Sequence, residues 1–294
     1  MNRLEEAVDL IQAELGEGFE VKIHQVKKVN GILKTGIVIQ KEGCTICPVT
    51  YPAPDLQSPD EIAKDIKAKY DVAMANLSSD SLEGKTKDQI RELVLQTVKP
   101  CLIGLEKNRS LIESQELPVK HFLDMAVVYR FFVAHFSDES AGTALIKKTL
   151  LDALDIEFEE LDSAAMKNLE KDGYEYGNLA DLAASIGVVP DTDDDAPMLY
   201  LTSAPVRAYG AAQLLNQKAL DEVGRVFGGR FLIIPSSIHE VLAVSADVSK
   251  ELVSGMIHMF NADISVINPD EVLTNTLYEY DVRKGRVEIA KKGR

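Results

Sequence analysis

The sequence predicts an α+β protein, with antiparallel or mixed sheets and flanking helices arranged in two domains. Three observations favour this class. A composition of 46% hydrophobic and 27% charged residues is typical of a globular chain, and 294 residues can bury a substantial core. Apolar residues recur every three or four positions in several segments, which indicates helices. In other segments they alternate with polar residues, which indicates strands.

The smaller domain is predicted at residues 1–115 and opens with a helix, because Leu4, Val8 and Ile11 follow helical spacing and Gly16 ends the pattern. The alternation that follows predicts an antiparallel meander of three strands, with turn residues between them. Further helices are expected after the meander. The predicted strands are Phe19–Ile23, Ile37–Ile39, Thr45–Tyr51 and Cys101–Leu105, and the later helices are Pro59–Tyr70 and Asp88–Val98.

The larger domain is predicted at residues 116–294, because the apolar pattern weakens just before it. Its first stretch, Val119–Phe136, is predicted to be a buried strand or strand pair. Strands at Met198–Thr202 and Arg230–Ile234 flank a helix at Ala211–Phe227, which predicts a βαβ unit with the two strands as parallel neighbours. The other predicted elements are helices at Ala144–Leu154, Leu161–Glu170, Leu179–Ile186 and Val248–Phe260, a strand at Val241–Val244, and a hairpin of Leu277–Tyr280 with Arg286–Ile289.

The chain is strongly acidic, with a formal net charge of −15 and a pI near 4.8. Such a field repels phosphate backbones and anionic lipids, so we expect an unknown protein or small molecule as partner, and neither nucleic acid nor membrane. The first residues are acidic, unlike a secretory leader, and the most apolar run, Met125–Phe136, is interrupted by Arg130 and His135. Three cysteines form no disulfide framework, and Cys101 is predicted to be core. A cytoplasmic location is expected, and oligomerisation stays open.

Metal-site motifs fail on their spacing, and no metal or cofactor is predicted. Cys44 and Cys47 would point to opposite faces of a strand, and no second Cys or His pair has matching spacing, so both are predicted to be structural. The acidic run Asp191–Asp195 lacks the glycine that a calcium loop requires next. His239 begins a zinc-protease signature, but Ala243 occupies the position of its second histidine.

The strongest candidate site is Pro235–Glu240, which follows an apolar strand. Loops at the ends of buried strands commonly carry binding and catalytic groups. His239 beside Glu240 could act as a base or proton relay, and Ser236 or Ser237 could serve as nucleophile or anion donor. In the structural alternative, the hydroxyls cap a turn and His239 bonds a backbone carbonyl.

Arg207 and Tyr209 follow the other strand of the predicted βαβ unit. If the two strands are parallel neighbours, both residues would lie near His239. Arg207 could then hold a carboxylate or phosphate bidentately, or it could pair with Glu240 as a structural salt bridge.

Six segments of the chain carry a family resemblance: Phe122–Tyr129, Leu199–Thr202, Tyr209–Ala212, Ile233–Val241, Asn268–Thr274 and Tyr278–Asp281. Together they resemble a bacterial family of unknown function that carries a Pro-Ser-Ser-Ile-His-Glu signature. The resemblance covers most of the chain and is strongest in its last third. It implies no activity, and it marks Pro235–Glu240 as a family signature that a fold-critical turn or a site would explain equally.

Two functions follow from these observations. The absence of a complete catalytic signature favours a cytoplasmic binding or regulatory protein that recognises its partner through a sheet edge or groove. The alternative is a hydrolase or transferase that uses His239 and Glu240 with a nearby serine, and Arg207 for an anionic substrate. Convergence of His239, Glu240 and Arg207 on one pocket would decide between them.

Overall fold

A computed structural model describes residues 2–43, 47–77, 85–137, 140–185, 197–235, 237–264 and 267–290. The predicted α+β class is confirmed, and every strand pairing within these ranges is antiparallel. The described strands form three sheets. Cys44, the run Asp191–Asp195 and Ser236 lie outside the described residues. So do the start of the strand predicted at Thr45–Tyr51 and the last residue of the helix predicted at Leu179–Ile186.

The first sheet and the two helices that cover it share one core. Strands β1 (Phe19–Lys27), β2 (Leu33–Lys41) and β3 (Val49–Thr50) pair in that order, which confirms the predicted meander. Helices α1 (Arg3–Leu15) and α2 (Pro59–Leu77) contribute their apolar stripes. The buried residues are Ala7, Ile11, Val21, Ile37, Ile39, Ile62, Ile66 and Tyr70.

The second sheet is built on one long strand, β6 (Met125–Ser137). It pairs with β4 (Val98–Gly104) along one edge, and with β5 (Lys120–Phe122) and then β7 (Ser140–Leu145) along the other. The strand pair predicted in this region is therefore confirmed as β5 and β6. Because β4 and β6 lie on opposite sides of the predicted domain boundary and pair directly, the division into two domains stays a prediction.

Helices pack around these strands. The predicted helix at Ala144–Leu154 begins late, because β7 continues through Leu145 before the helix starts at Lys148. Among the described residues, no helix is long and apolar enough to cross a membrane. The helices of this region are α3 (Lys87–Thr97), α4 (Leu105–Ser114), α5 (Lys148–Leu154), α6 (Phe158–Asp172) and α7 (Leu179–Ser185).

The third sheet has six strands in the order β13-β12-β10-β11-β9-β8. The two strands that come last in the chain, β12 and β13, pair antiparallel, which confirms the predicted closing hairpin. Two helices, α8 (Gln217–Val226) and α9 (Lys250–Ala262), accompany it. The strands are β8 (Tyr174–Asn178), β9 (Leu199–Ser203), β10 (Arg230–Ile234), β11 (Glu240–Ser245), β12 (Tyr278–Asp281) and β13 (Arg286–Ile289).

The predicted βαβ unit is wrong. Strand β11 lies between β9 and β10 and pairs antiparallel with both, with Glu240 opposite Thr202 and Leu242 opposite Ile234. The chain reverses immediately after β10, so the neighbour of β10 comes from the next few residues rather than from β9. Strands β9 and β10 are consequently parallel to each other, but they are separated by β11 and share no backbone hydrogen bonds.

A pair of asparagines joins the three sheets. Asn30, in the turn between β1 and β2, has a left-handed backbone with φ of 61°, and its N–H donates to Oδ1 of the fully buried Asn108 at 2.7 Å. Asn108 Nδ2 donates in return to Asn30 Oδ1 and to the carbonyl of Gly104. Asn30 Nδ2 donates to the carbonyls of Pro269 and Val272, both at 2.8 Å. This junction fixes the first sheet to α4 and to the segment that leads to β12.

We expect Asn108→Ala to lower the free energy of unfolding by roughly 2–3 kcal/mol, because it leaves buried groups of Asn30 and Gly104 without partners. Urea denaturation followed by circular dichroism measures the change. Lys107→Ala, at the exposed neighbouring position of the same helix, should stay within about 0.5 kcal/mol of the parent. Equal losses for the two variants would contradict the importance of the junction.

Candidate functional site

The segment Pro235–Glu240 turns the chain from β10 into β11 and is fastened to the segment before β12. The N–H of Ile238 donates to the carbonyl of Glu271 at 2.8 Å, and Ser237 forms an isolated antiparallel bridge with Val272. The asparagine junction holds that same segment from its other side. The turn is therefore positioned by contacts from distant parts of the chain.

His239 is held by three hydrogen bonds. Its N–H donates to Ser237 Oγ at 3.0 Å, and its carbonyl accepts from Thr202 Oγ1 at 2.9 Å. Its ring nitrogen Nδ1 accepts from the N–H of Tyr209 at 3.2 Å. The rings of Tyr209 and His239 also lie against each other, with centroids 5.2 Å apart. Backbone and ring are thus both fixed in place.

The Tyr209 contact determines the tautomer of His239. A backbone N–H can only donate, so Nδ1 must present its lone pair and the proton of the neutral ring resides on Nε2. Burial lowers the pKa of His239 below its usual 6.5, and the charge of Arg130 lowers it further, while Glu271 and Asp270 act in the opposite sense. His239 is therefore a neutral imidazole that offers an N–H donor.

His239 lines a cleft of about 610 Å³ between the first sheet and the other two. We call this space the cationic cleft and define it by the side chains that carry its chemistry. Two of them, Lys28 and Tyr51, directly follow β1 and β3 of the first sheet. Arg130 and Thr143 lie in β6 and β7, and Tyr209 and His239 lie in connections of the third sheet. The defining residues are Lys28, Tyr51, Arg130, Thr143, Tyr209 and His239.

The two principal cations of the cleft are each stacked on a tyrosine. Lys28 Nζ lies 4.6 Å from the ring centroid of Tyr51, and the Arg130 guanidinium lies 4.7 Å from that of Tyr209. Arg130 Nε also donates to Thr143 Oγ1 at 3.0 Å. Within the described ranges, no carboxylate lies within 4.0 Å of either cation.

The electrostatics of Lys28 reflect this arrangement. Burial lowers the pKa of Lys28, and the neighbouring charges of Arg130 and Lys34 lower it further. Asp270, which also lines the cleft and has 12% of its side chain exposed, opposes this effect, but it already pairs with Lys34 at 2.7 Å. The described carboxylates therefore balance the positive charge of the cleft only in part.

The other residues predicted for the site lie in different surroundings. Arg207 binds Glu175 of β8 through two hydrogen bonds, of 2.5 and 3.2 Å, rather than projecting into the cleft. Burial raises the pKa of Glu240, as does the charge of Glu271, whereas Arg207 lowers it. Ser237 is 8% exposed and its Oγ accepts from the His239 backbone. Of the predicted residues that are described, the structure brings only Tyr209 and His239 together in the cleft.

Lys28 and Arg130 were not predicted from the sequence to belong to the site. Local spacing could not have identified Lys28, because it meets Arg130 only when the first two sheets pack together. Arg130 did leave a signal, since a charged residue interrupted the most apolar run of the chain.

The remaining chemical groups do not add a metal centre. Among the residues that the structure describes, no group of three His, Cys, Asp or Glu side chains could hold a metal ion. Cys47 is half-buried and borders the cleft. Cys101, predicted to be core, is 1% exposed, and burial raises the pKa of its thiol to about 12.

Comparison with protein families matches residues 3–282 to a family of unknown function (DUF5688). Neither the curated proteins nor the solved structures give a match. The predicted resemblance to a family of unknown function is confirmed, whereas the bacterial origin and the Pro-Ser-Ser-Ile-His-Glu signature stay predictions. The family match therefore assigns no activity, and the chemistry of the site itself is what indicates a function.

Gly210→Ala should displace His239 and lower the free energy of unfolding by about 2–3 kcal/mol. The reason is steric, because a Cβ at this position would overlap Thr202 Oγ1, Ser203 N and the His239 carbonyl. Gly255→Ala, in α9 with nothing near its Cβ, should instead raise stability by about 0.5–1 kcal/mol. Urea denaturation of both variants checks the opposite signs, and a harmless Gly210→Ala would refute this packing.

His239→Asn should remove part of the acid sensitivity of the fold. Because the folded-state pKa lies below 6.5, the unfolded chain binds more protons between the two pKa values. The free energy of unfolding therefore falls as the pH falls below 6.5 through that window. An Asn Oδ1 can still accept from Tyr209 N–H but does not titrate. Denaturation curves between about pH 5 and 7.5 should be flatter for the variant, and parallel curves would disprove the assignment.

Proposed function

Since the chain belongs to a family of unknown function (DUF5688) whose match spans residues 3–282, we propose from its geometry that it is a binding protein for a ligand bearing carboxylate or phosphate groups, held in the cationic cleft. The observation that carries this proposal is the pair Lys28 and Arg130, which face one space without a carboxylate at salt-bridge distance in the described part of the chain.

The polar groups of the cleft support the proposal, because most of them carry positive charge or can donate a hydrogen bond. Arg130 presents a planar fork suited to two oxygens, Lys28 adds a point charge, and His239 adds the neutral N–H on Nε2. Thr143 Oγ1 accepts from Arg130 at 3.0 Å and lies 3.5 Å from the Tyr209 hydroxyl, where either oxygen can be the donor, so the two hydroxyls can supply a further donor between them. Donors thus predominate, which is the composition that an anion requires.

An anion would also relieve an existing repulsion. Burial is the main cause of the lowered pKa of Lys28, and the charges of Arg130 and Lys34 across the same partly buried space add to it. A bound carboxylate or phosphate would offset that repulsion and raise the pKa of Lys28 towards its usual range. Binding free energy is therefore expected from removal of repulsion as well as from new hydrogen bonds.

The net charge of the chain limits the size of the ligand. A formal charge of −15 opposes long polyanions, whereas a short ligand can enter the cleft and be enclosed by its cations. The carboxylates of Asp270 and Glu271, which also line the cleft, add to this selection because they repel further anionic groups. The combination favours a short anionic ligand over a nucleic acid.

The alternative, a hydrolase or transferase, finds less support. A general base at Nε2 needs a free lone pair, and the tautomer set by Tyr209 places the proton there. Reversing the tautomer would set Nδ1–H against the Tyr209 N–H, two donors facing each other. Neither Ser237 nor Arg207 lines the cleft: Ser237 Oγ accepts from the His239 backbone, and Arg207 pairs with Glu175. Ser236, the other candidate nucleophile, lies outside the described residues.

Titration calorimetry at low ionic strength with citrate and with inorganic phosphate tests the proposal. At least one should bind, and Arg130→Gln should weaken that binding by about tenfold or more, because a charged, bidentate contact is lost. Arg109→Gln, which removes an arginine with 63% of its side chain exposed outside the cleft, is the matched control and should bind as the parent does. Absence of binding by both anions, or full affinity in Arg130→Gln, would refute the proposal.

A further inference from the structure

The outer edge of β7 borders the cationic cleft. Strand β7 pairs with β6 on one side, and the described residues supply no strand for its other side. Residues 142–145 of β7 line the cleft. An edge strand with an accessible side is a template for adding another strand.

The hydrogen-bond pattern identifies which groups face outward. The N–H of Ile146 donates to the carbonyl of Tyr129 at 2.8 Å, directly opposite in the β6–β7 register. In an antiparallel ladder such hydrogen-bonded pairs alternate with non-hydrogen-bonded pairs. Ala144 therefore bonds to β6, whereas the N–H and carbonyl groups of Thr143 and Leu145 point away from it. Those four groups line the outer edge.

The cations lie on the face that an added strand would share. Arg130 stands directly opposite Leu145 in the register, so its side chain shares a face with those of Leu145 and Thr143, and its Nε bonds Thr143 Oγ1. Lys147 follows the strand at the same end, and Lys28 faces them across the cleft. An added strand could therefore bond its backbone to β7 and place acidic side chains against these cations at the same time.

We infer that the ligand is an extended acidic peptide, which adds as an antiparallel strand to the outer edge of β7 and places carboxylates two residues apart over Arg130 and its neighbouring lysines. This inference rests on the proposed function. The two peptide residues opposite Thr143 and Leu145 would exchange both backbone hydrogen bonds with them, and their side chains would point to the Arg130 face. Four strand residues span about 13 Å, so a short segment suffices.

The probe is the peptide acetyl-Gly-Thr-Glu-Val-Glu-Thr-Gly-amide with a fluorescent label, titrated with the full chain and followed by anisotropy. Replacing both glutamates by glutamine should weaken binding by about tenfold or more, because the contacts to the cations are lost. Methylating the amide nitrogens of the two glutamates should also weaken it by about tenfold or more, since those N–H groups face β7. Methylating only the central valine nitrogen, which faces away, should leave the affinity within about twofold.

Arg130→Gln should reduce peptide affinity as strongly as the glutamine peptide does, and Arg109→Gln should leave it unchanged. If citrate or phosphate binds at Arg130 but the peptide does not, the inference fails and the proposed function stands. If the peptide binds equally well with its glutamate nitrogens methylated, strand addition is wrong even though the anion site is right. If neither the anions nor the peptide bind, both fail.

Discussion

The asparagine junction is the constraint on which the rest of the structure depends. Asn30 and Asn108 satisfy each other and three backbone carbonyls, so a buried polar contact between the three sheets carries no unsatisfied donor. A junction of this kind specifies one arrangement, because any shift of the sheets would leave amide groups unpaired. It holds the segment before β12, that segment holds Ile238, and Ile238 precedes His239. The position of His239 in the cleft thus depends on the asparagine junction, which lies outside the cleft.

The chemistry of the cleft comes from how its groups are held rather than from which groups are present. A histidine beside a glutamate suggests acid–base work, yet one backbone N–H, that of Tyr209, converts His239 into a fixed donor. Arg130 and Lys28 are likewise stacked on Tyr209 and Tyr51, and no carboxylate of the described residues lies at salt-bridge distance from either cation. Within that part of the chain, a ligand can bind these cations without first breaking an ion pair.

The sequence predicted elements well where burial is periodic and poorly where it is not. The helix of Ile62, Ile66 and Tyr70 and the meander were predictable because apolar side chains mark their inner faces. Helix α4 was missed because a buried polar residue, Asn108, occupies an inward position. The βαβ interpretation failed because local periodicity does not report that the residues after β10 return at once as its neighbour.

Only part of the candidate site could be predicted from the sequence, for a related reason. His239 and its turn stood out because several polar residues follow an apolar strand within a short stretch. Lys28 and Arg130 are far apart along the chain, and their proximity is a property of how the first two sheets pack. Arg207 and Glu240 looked equally functional in the sequence, and only the position of β8, which brings Glu175 to Arg207, distinguishes them from the cleft residues.

The origin of the cleft walls has a thermodynamic consequence. Lys28 and Tyr51 directly follow strands of the first sheet, Arg130 lies in the second sheet, and His239 directly precedes β11 of the third, so a bound anion would act as a non-covalent crosslink between all three. Ligand binding and the asparagine junction would then be thermodynamically linked, because any change that loosens the packing of the sheets would also weaken binding. A free ligand concentration one hundred times Kd would stabilise the folded state by about 2.7 kcal/mol. Melting temperature would accordingly report the occupancy of the cleft even for a ligand that changes no enzymatic rate.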